Sequence, residues 1–191
     1  MVQVTPMETY PVDESGFASP ALSHDSNHYD LIDGHTGQKL DVFAIQPDAL
    51  GSAALQVGDD LGQGLEVLVI YTDARGTLAA LQMADGLAQK LGAHIRLLLP
   101  YEVPYALPLT RPAVPVEFLE NQVRELASTI HLDVAAQILL CRDKRRTLGL
   151  LLRSNSLVVI GGRTRWWPTA AQRLAQAVQK DGHSVIFAEL R

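Results

Sequence analysis

The sequence predicts an α/β domain over residues 65–191, built as a parallel sheet with helices on both of its faces. Three observations predict it. Short, β-branched apolar runs recur along this stretch. One segment of helical period, or a short helix, separates each run from the next. Glycine and proline mark the joints. Strands separated by single helices need crossover connections, which are right-handed and leave the strands parallel.

The elements follow in order. Leu65 to Tyr71 is an apolar run of the kind that a strand buried on both faces requires. Thr77 to Leu91 carries Leu78, Leu81, Ala84, Ala88 and Leu91 at spacings of three and four, and Gly92 closes this helix. His94 to Leu99 is the second strand. Pro100 to Pro115 holds five prolines and reads as a loop. Val116, Leu119, Val123, Leu126 and Ile130 form the stripe of a second helix. Val134 to Cys141 is the third strand, Arg145 to Arg153 a short helix, and Leu157 to Ile160 the fourth strand. Pro168 suits a helical first turn, Leu174 and Val178 continue that helix, and Ser184 to Glu189 is the fifth strand.

Residues 1–64 differ in character. They hold ten acidic residues and one basic residue, Lys39, whereas residues 65–191 hold eleven acidic and fifteen basic. The two segments therefore carry about −9 and +4, the signature of an acidic extension beside a basic face. Residues 1–28 show no period and have the composition of a chain that cannot offset its ordering entropy alone. Tyr29 to Asp33 and Lys39 to Ile45 are apolar stretches around Gly34-His35-Thr36-Gly37 and can pair as a hairpin. Residues 46–64 contain four glycines and read as a linker. Because a lone hairpin is marginal in water, residues 29–45 are expected to dock, either on this domain or on another chain.

Composition excludes several classes. No apolar run approaches the roughly 20 residues that span a bilayer. The first six residues lack the basic and apolar regions of a secretory leader. With Cys141 as the single cysteine, neither an internal disulfide nor a cysteine-built zinc site is expected, and a reducing cytoplasm is the natural location. Cys141 sits in an apolar run and reads as core. His24, His28 and His35 have no fixed carboxylate beside them and read as polar residues rather than metal ligands. No serine stands in a nucleophile elbow, and no acid/base pair can be assigned. No nucleic-acid module is visible and the net charge is −5, which argues against nucleic acid as a partner.

Ligands of open parallel sheets bind beyond the carboxyl ends of the strands, where strand order reverses. Thr72-Asp73-Ala74-Arg75-Gly76 follows the first strand, and Gly161-Gly162-Arg163-Thr164-Arg165-Trp166-Trp167-Pro168 follows the fourth. This order, with an aspartate after the first strand and glycines after the fourth, resembles the universal stress protein family over about residues 65–191. The resemblance implies a three-layer α/β/α fold whose parallel five-stranded sheet is ordered 3-2-1-4-5, here with an acidic N-terminal extension. It places Asp73 where the family aspartate contacts the adenosine portion of ATP. Gly161 falls at the start of the family's G-x-x-G-x9-G-[S/T] phosphate loop. Asp73, Gly161, Gly162, Arg163, Thr164 and Arg165 are thus the candidate cofactor-binding residues. It also implies a homodimer through the edge strand 184–189.

The motif departs from the family pattern. Thr164 replaces its second glycine, and Leu174 and Ala175 replace its glycine–hydroxyl pair. Glycines let backbone N–H groups approach a phosphate closely, and Thr164, Leu174, Trp166 and Trp167 crowd that approach. The expected function is therefore a non-catalytic, universal-stress-protein-like interaction or regulatory domain that does not bind ATP in the family manner. The alternative is an adenine-nucleotide-binding regulatory protein that holds ATP or AMP. Arg163 and Arg165 could bind an anion through forked hydrogen bonds. Arg142, Lys144, Arg145 and Arg146 are either a second anion site or solvated charge at a helix start. Trp166 and Trp167 are either a partner anchor or covers for the core and the loop.

Overall fold

The computed structural model describes residues 26–32, 39–45, 65–130, 134–152 and 156–190. Two strands come first, β1 (Ser26–Ile32) and β2 (Lys39–Ile45). The alternating part follows as β3 (Glu66–Ile70), α1 (Ala74–Leu91), β4 (His94–Glu102), α2 (Val116–Ile130) and β5 (Val134–Cys141). It ends with α3 (Lys144–Leu151), β6 (Leu157–Gly162), α4 (Ala170–Lys180) and β7 (Ser184–Glu189).

β5, β4, β3, β6 and β7 lie side by side, all parallel, which is the 3-2-1-4-5 order. Both faces of this Rossmann-like sheet are covered. Val67, Leu97, Ile138 and Val159 pack with Ala80, Leu81 and Ala84 of α1 and Leu119 and Val123 of α2. On the opposite face Leu68, Leu98, Leu139 and Ile160 pack with Leu148 of α3 and Leu174 and Val178 of α4. The two sets of strand residues alternate, as the pleat requires. Apart from Leu81, the buried face of α1 is small (Gly76, Thr77, Ala80, Ala84, Ala88), so its axis approaches the sheet closely. Among the described residues no helix is long and apolar enough to cross a membrane.

The sheet does not end at β5. β2 lies antiparallel against it and matches Phe43 with Leu140, Ala44 with Leu139 and Ile45 with Ile138. β1 pairs antiparallel with β2 in full register, from Ser26 opposite Ile45 to Ile32 opposite Lys39. The expected hairpin is thus part of a seven-stranded sheet, and it docks on its own chain at the edge opposite β7. The expectations for residues 1–25, for the turn and for the linker 46–64 lie outside the described residues.

Element ends differ from the sequence reading for local reasons. β4 runs on through Pro100 to Glu102, where a loop was expected. Leu98 presents its carbonyl to Tyr71 N at 2.8 Å. Two residues further, Pro100 faces the same side, beyond the last pairing of β3, Ile70 with Leu98. Its missing N–H therefore costs the ladder nothing. α1 begins at Ala74 because Asp73 caps it, and Asp143 similarly starts α3 at Lys144. α4 begins after Pro168, with Thr169 as its cap. One buried charge lies within the sheet. Arg96 on β4 is 6 % exposed, and its Nε lies 2.7 Å from Glu66 Oε1 on β3. The pair is close but not aligned as a hydrogen bond, since that Nε has no hydrogen-bond acceptor.

Cys141 is fully buried at the end of β5, and burial pushes its thiol up from 9.0 to about 11. A folded-state pKa raised above the unfolded one means that the stabilisation is complete below about pH 9 and is lost as pH rises towards 11. Urea unfolding between pH 8 and about pH 11 should show stability falling over this window. The fall should be shallower in Cys141→Ala, and native Cys141 should resist a thiol reagent at pH 8.

Candidate functional site

The carboxyl ends of β3 and β6 meet where strand order reverses, and the chain there is tightly tied. Thr72 Oγ1 donates to the Gly161 carbonyl at 2.7 Å, and Thr72 N donates to Thr77 Oγ1 at 3.2 Å. Asp73 has extended backbone, and its Oδ1 accepts from Gly76 N at 2.8 Å, so it is the N-cap of α1. α1 begins in direct backbone contact with β6. A Cβ on Gly76 would lie 2.6 Å from the Gly161 carbonyl oxygen, and one on Gly161 would collide with the Gly76 carbonyl.

The structure places Gly161 and Gly162 inside β6, paired with Ala188 and Glu189 of β7. The Gly162 carbonyl accepts from Leu190 N at 3.0 Å, and a Cβ on Gly162 would meet Ala171 of α4 at 2.7 Å. Both glycines therefore serve packing of the helices on the two faces. The loop proper starts at Arg163. It is closed by a capping box, in which Thr169 N donates to Gln172 Oε1 at 2.8 Å and Gln172 N to Thr169 Oγ1 at 3.3 Å. Thr169 Oγ1 also reaches back to the Arg163 carbonyl at 3.3 Å.

Arg163, Thr164 and Arg165 are exposed on this loop. Trp166 is 94 % exposed and Trp167 78 %. Neither indole covers the core. The structure brings Asp73, Gly161 and Gly162 together around the β3–β6 junction and leaves the two arginines on the outer loop. The basic cluster after β5 divides in use. Arg142 Nη1 donates to the carbonyls of Val103 and Pro104 at 3.0 and 2.6 Å, and its guanidinium lies 5.2 Å from the centre of the Tyr105 ring. It anchors the proline-rich loop. The Lys144 backbone N donates to Glu102 Oε1 at 3.2 Å, and Lys144 also lines a cleft.

That cleft, of about 340 Å³, opens at the carboxyl ends of β3 and β4. β3 and its exit give Tyr71 and Thr72, β4 gives Leu99 to Tyr101, α2 gives Phe118 and Gln122, and the start of α4 gives Ala170 and Ala171. Burial, then the nearby Asp73 carboxylate, raises the pKa of the Tyr71 phenol, which stays a hydrogen-bond donor. None of Asp73, Gly161, Gly162, Arg163, Thr164 and Arg165 lines the cleft. Its residues come from five separate segments, and the only sequence signal was their position near strand ends. Among the described residues no three His, Cys, Asp or Glu side chains group as a metal site.

The contact between Gly76 and Gly161 gives a graded expectation for equilibrium unfolding. Gly161→Ala forces a methyl onto a backbone carbonyl and should cost about 3 kcal/mol, the upper range for overpacking. Gly86→Ala, in the middle of α1 with open space around it, should instead add about 0.5–1 kcal/mol. Compared with known proteins, the chain matches no family model and no curated protein.

Proposed function

We propose that this chain is a non-catalytic, universal-stress-protein-like interaction domain that presents the Arg163–Pro168 loop to an acidic protein partner. The observation that carries this reading is the exposure of two adjacent tryptophans, 94 % and 78 %, between exposed arginines and a capped helix. Large aromatic side chains left in water beside arginine are the composition of interface anchors. Phe118 and Tyr105, 54 % and 84 % exposed, extend the aromatic character of the same end of the sheet.

The same geometry argues against ATP held in the family manner. The residues that would hold it are engaged by the fold: Asp73 Oδ1 by the α1 N-terminus, and both glycines by their place in β6 and by helix packing. Self-association through β7 belongs to this reading. β7 is an end strand of the sheet, with Val185, Ile186 and Phe187 half-buried, and an unpaired strand edge of this kind invites pairing.

Both tryptophans of the chain lie in the loop, so tryptophan fluorescence, excited to the red of tyrosine absorption, reports on it alone. The isolated protein should emit as water-exposed indole, and partner binding should shift the emission to the blue. Trp166→Ala with Trp167→Ala should leave stability within about 0.5 kcal/mol while removing partner binding. Titration calorimetry with magnesium ATP should give no dissociation constant in the low micromolar range, about −8 kcal/mol. Such a constant would favour the adenine-nucleotide reading instead. Light scattering on the full chain should give the mass of a dimer, and a monomer would remove self-association from the proposal.

A further inference from the structure

The cleft adjoins the β3–β6 junction at Thr72 but shares no residue with the Arg163–Pro168 loop, and its chemistry is different. We infer that the roughly 340 Å³ cleft between α2 and the starts of α3 and α4 is a binding site for a small aromatic monocarboxylate, with Lys144 as its anion contact.

Size comes first. The volume falls at the small end of the ~300–1,000 Å³ range of small-molecule sites and is far too small for a peptide helix. The walls are mainly apolar, and three aromatic rings, those of Tyr71, Tyr101 and Phe118, contribute to them. Phe118 is 54 % exposed although it lines this concavity, so an aromatic guest would cover a ring now in water. Few polar groups converge there. The Thr72 hydroxyl and amide are committed to Gly161 and Thr77, which leaves the Tyr71 and Tyr101 phenols, Gln122 and Lys144 to orient a ligand.

Charge selects the ligand class. No carboxylate lines the cleft, and Lys144 is its single cation. Among the described residues its ammonium makes no ion pair within 4 Å; the neighbouring Glu102 carboxylate accepts from the Lys144 backbone instead. α4 points its N-terminus at the cleft through Ala170 and Ala171, and it has a neutral cap and no acidic residue in its first turn. Its capping box takes the Thr169 and Gln172 N–H groups, and no charged side chain of its own offsets the positive end of the helix. One lysine and one helix end suit a single negative charge. They do not suit the triphosphate of a nucleotide, which needs several donors.

The test uses the full chain and two probes, 3-phenylpropionate and its neutral amide, followed by calorimetry and by amide chemical shifts. The acid should bind saturably, with shifts centred on residues 71–72, 99–101, 118–122, 144 and 170–174. The amide should bind at least about tenfold more weakly, as expected when a charge-assisted contact is lost. Lys144→Met should weaken the acid by about tenfold and leave the amide unchanged, and Ala170→Trp, at an exposed lining position, should remove both. Failure of the acid to bind, equal binding of acid and amide to the unaltered chain, or an unchanged acid affinity in a folded Lys144→Met variant would overturn the inference. The Trp166→Ala/Trp167→Ala variant should bind the acid normally, so this result is independent of the loop's role.

Discussion

Where α1 leaves β3, two backbones touch without side chains between them. Gly76 in the first turn of the helix rests on Gly161 near the end of β6, and the Thr72 hydroxyl ties the same carbonyl of Gly161 to the β3 exit. Interiors are packed closely enough that one added methyl is felt, so this contact fixes the height of α1 above the sheet. α1 then packs along β3 and β6 through Ala80, Ala84, Ala88 and one leucine, Leu81, and α2 takes the remaining width of that face. Gly162 sets the second distance, that of α4 from the opposite face, through Ala171. The crevice of an open parallel sheet normally lies at this switch of strand order. Here the helices approach so closely that it is taken up by backbone, and the open space is displaced towards β4.

This displacement explains what was legible in the sequence. Hydrophobic period and Gly/Pro punctuation are local signals, and they placed every strand and helix of residues 65–191 within a few residues. Gly92 terminates α1 in a left-handed conformation, φ 62°, as its position after Leu91 suggested. Pro100 misled because proline is read as a break. Its tolerance depends on where β3 ends, a fact of tertiary pairing that no window of the sequence contains. Asp73 and Gly161 stand out in sequence for a ligand-binding reason and in structure for capping and packing. The same residue types serve both purposes, because a cap and a phosphate cradle both rest on side-chain oxygen, bare backbone and exposed N–H groups. The cleft was illegible because Tyr71, Tyr101, Gln122, Lys144 and Ala170 share no motif; only the crossovers bring them to one place.

Charge shows a similar division between local and tertiary roles. The run from Arg142 to Arg146 looks like one basic patch in sequence. In the fold, Arg142 turns to the carbonyls of Val103 and Pro104, two acceptors of a proline-rich segment that has few N–H groups of its own. Lys144, two residues later, lines the cleft. Arg96 is held in the sheet beside the partly exposed Glu66, and removing Glu66 would leave a buried guanidinium unmatched. Net charge per segment therefore does not say how positive charge is arranged; Arg75, Lys90, Arg145 and Arg173 are exposed singly on helices, whereas Arg163 and Arg165 share one exposed loop with both tryptophans.

The hairpin at β5 makes the two borders of the sheet unlike. On one side an antiparallel pair, β2 and β1, reverses the strand direction; on the other, β7 keeps the direction of the parallel core. Hydrogen-bonded pairing of a strand with its own two-fold mate must be antiparallel, because the parallel ladder has no two-fold symmetry. A symmetric pair joined at β7 would therefore point the carboxyl ends of its two sheets in opposite directions. The tryptophan loops and clefts of the two copies would then sit at opposite poles of the particle. In such a particle the two tryptophan loops could not close together on one molecule, and each would face a separate one.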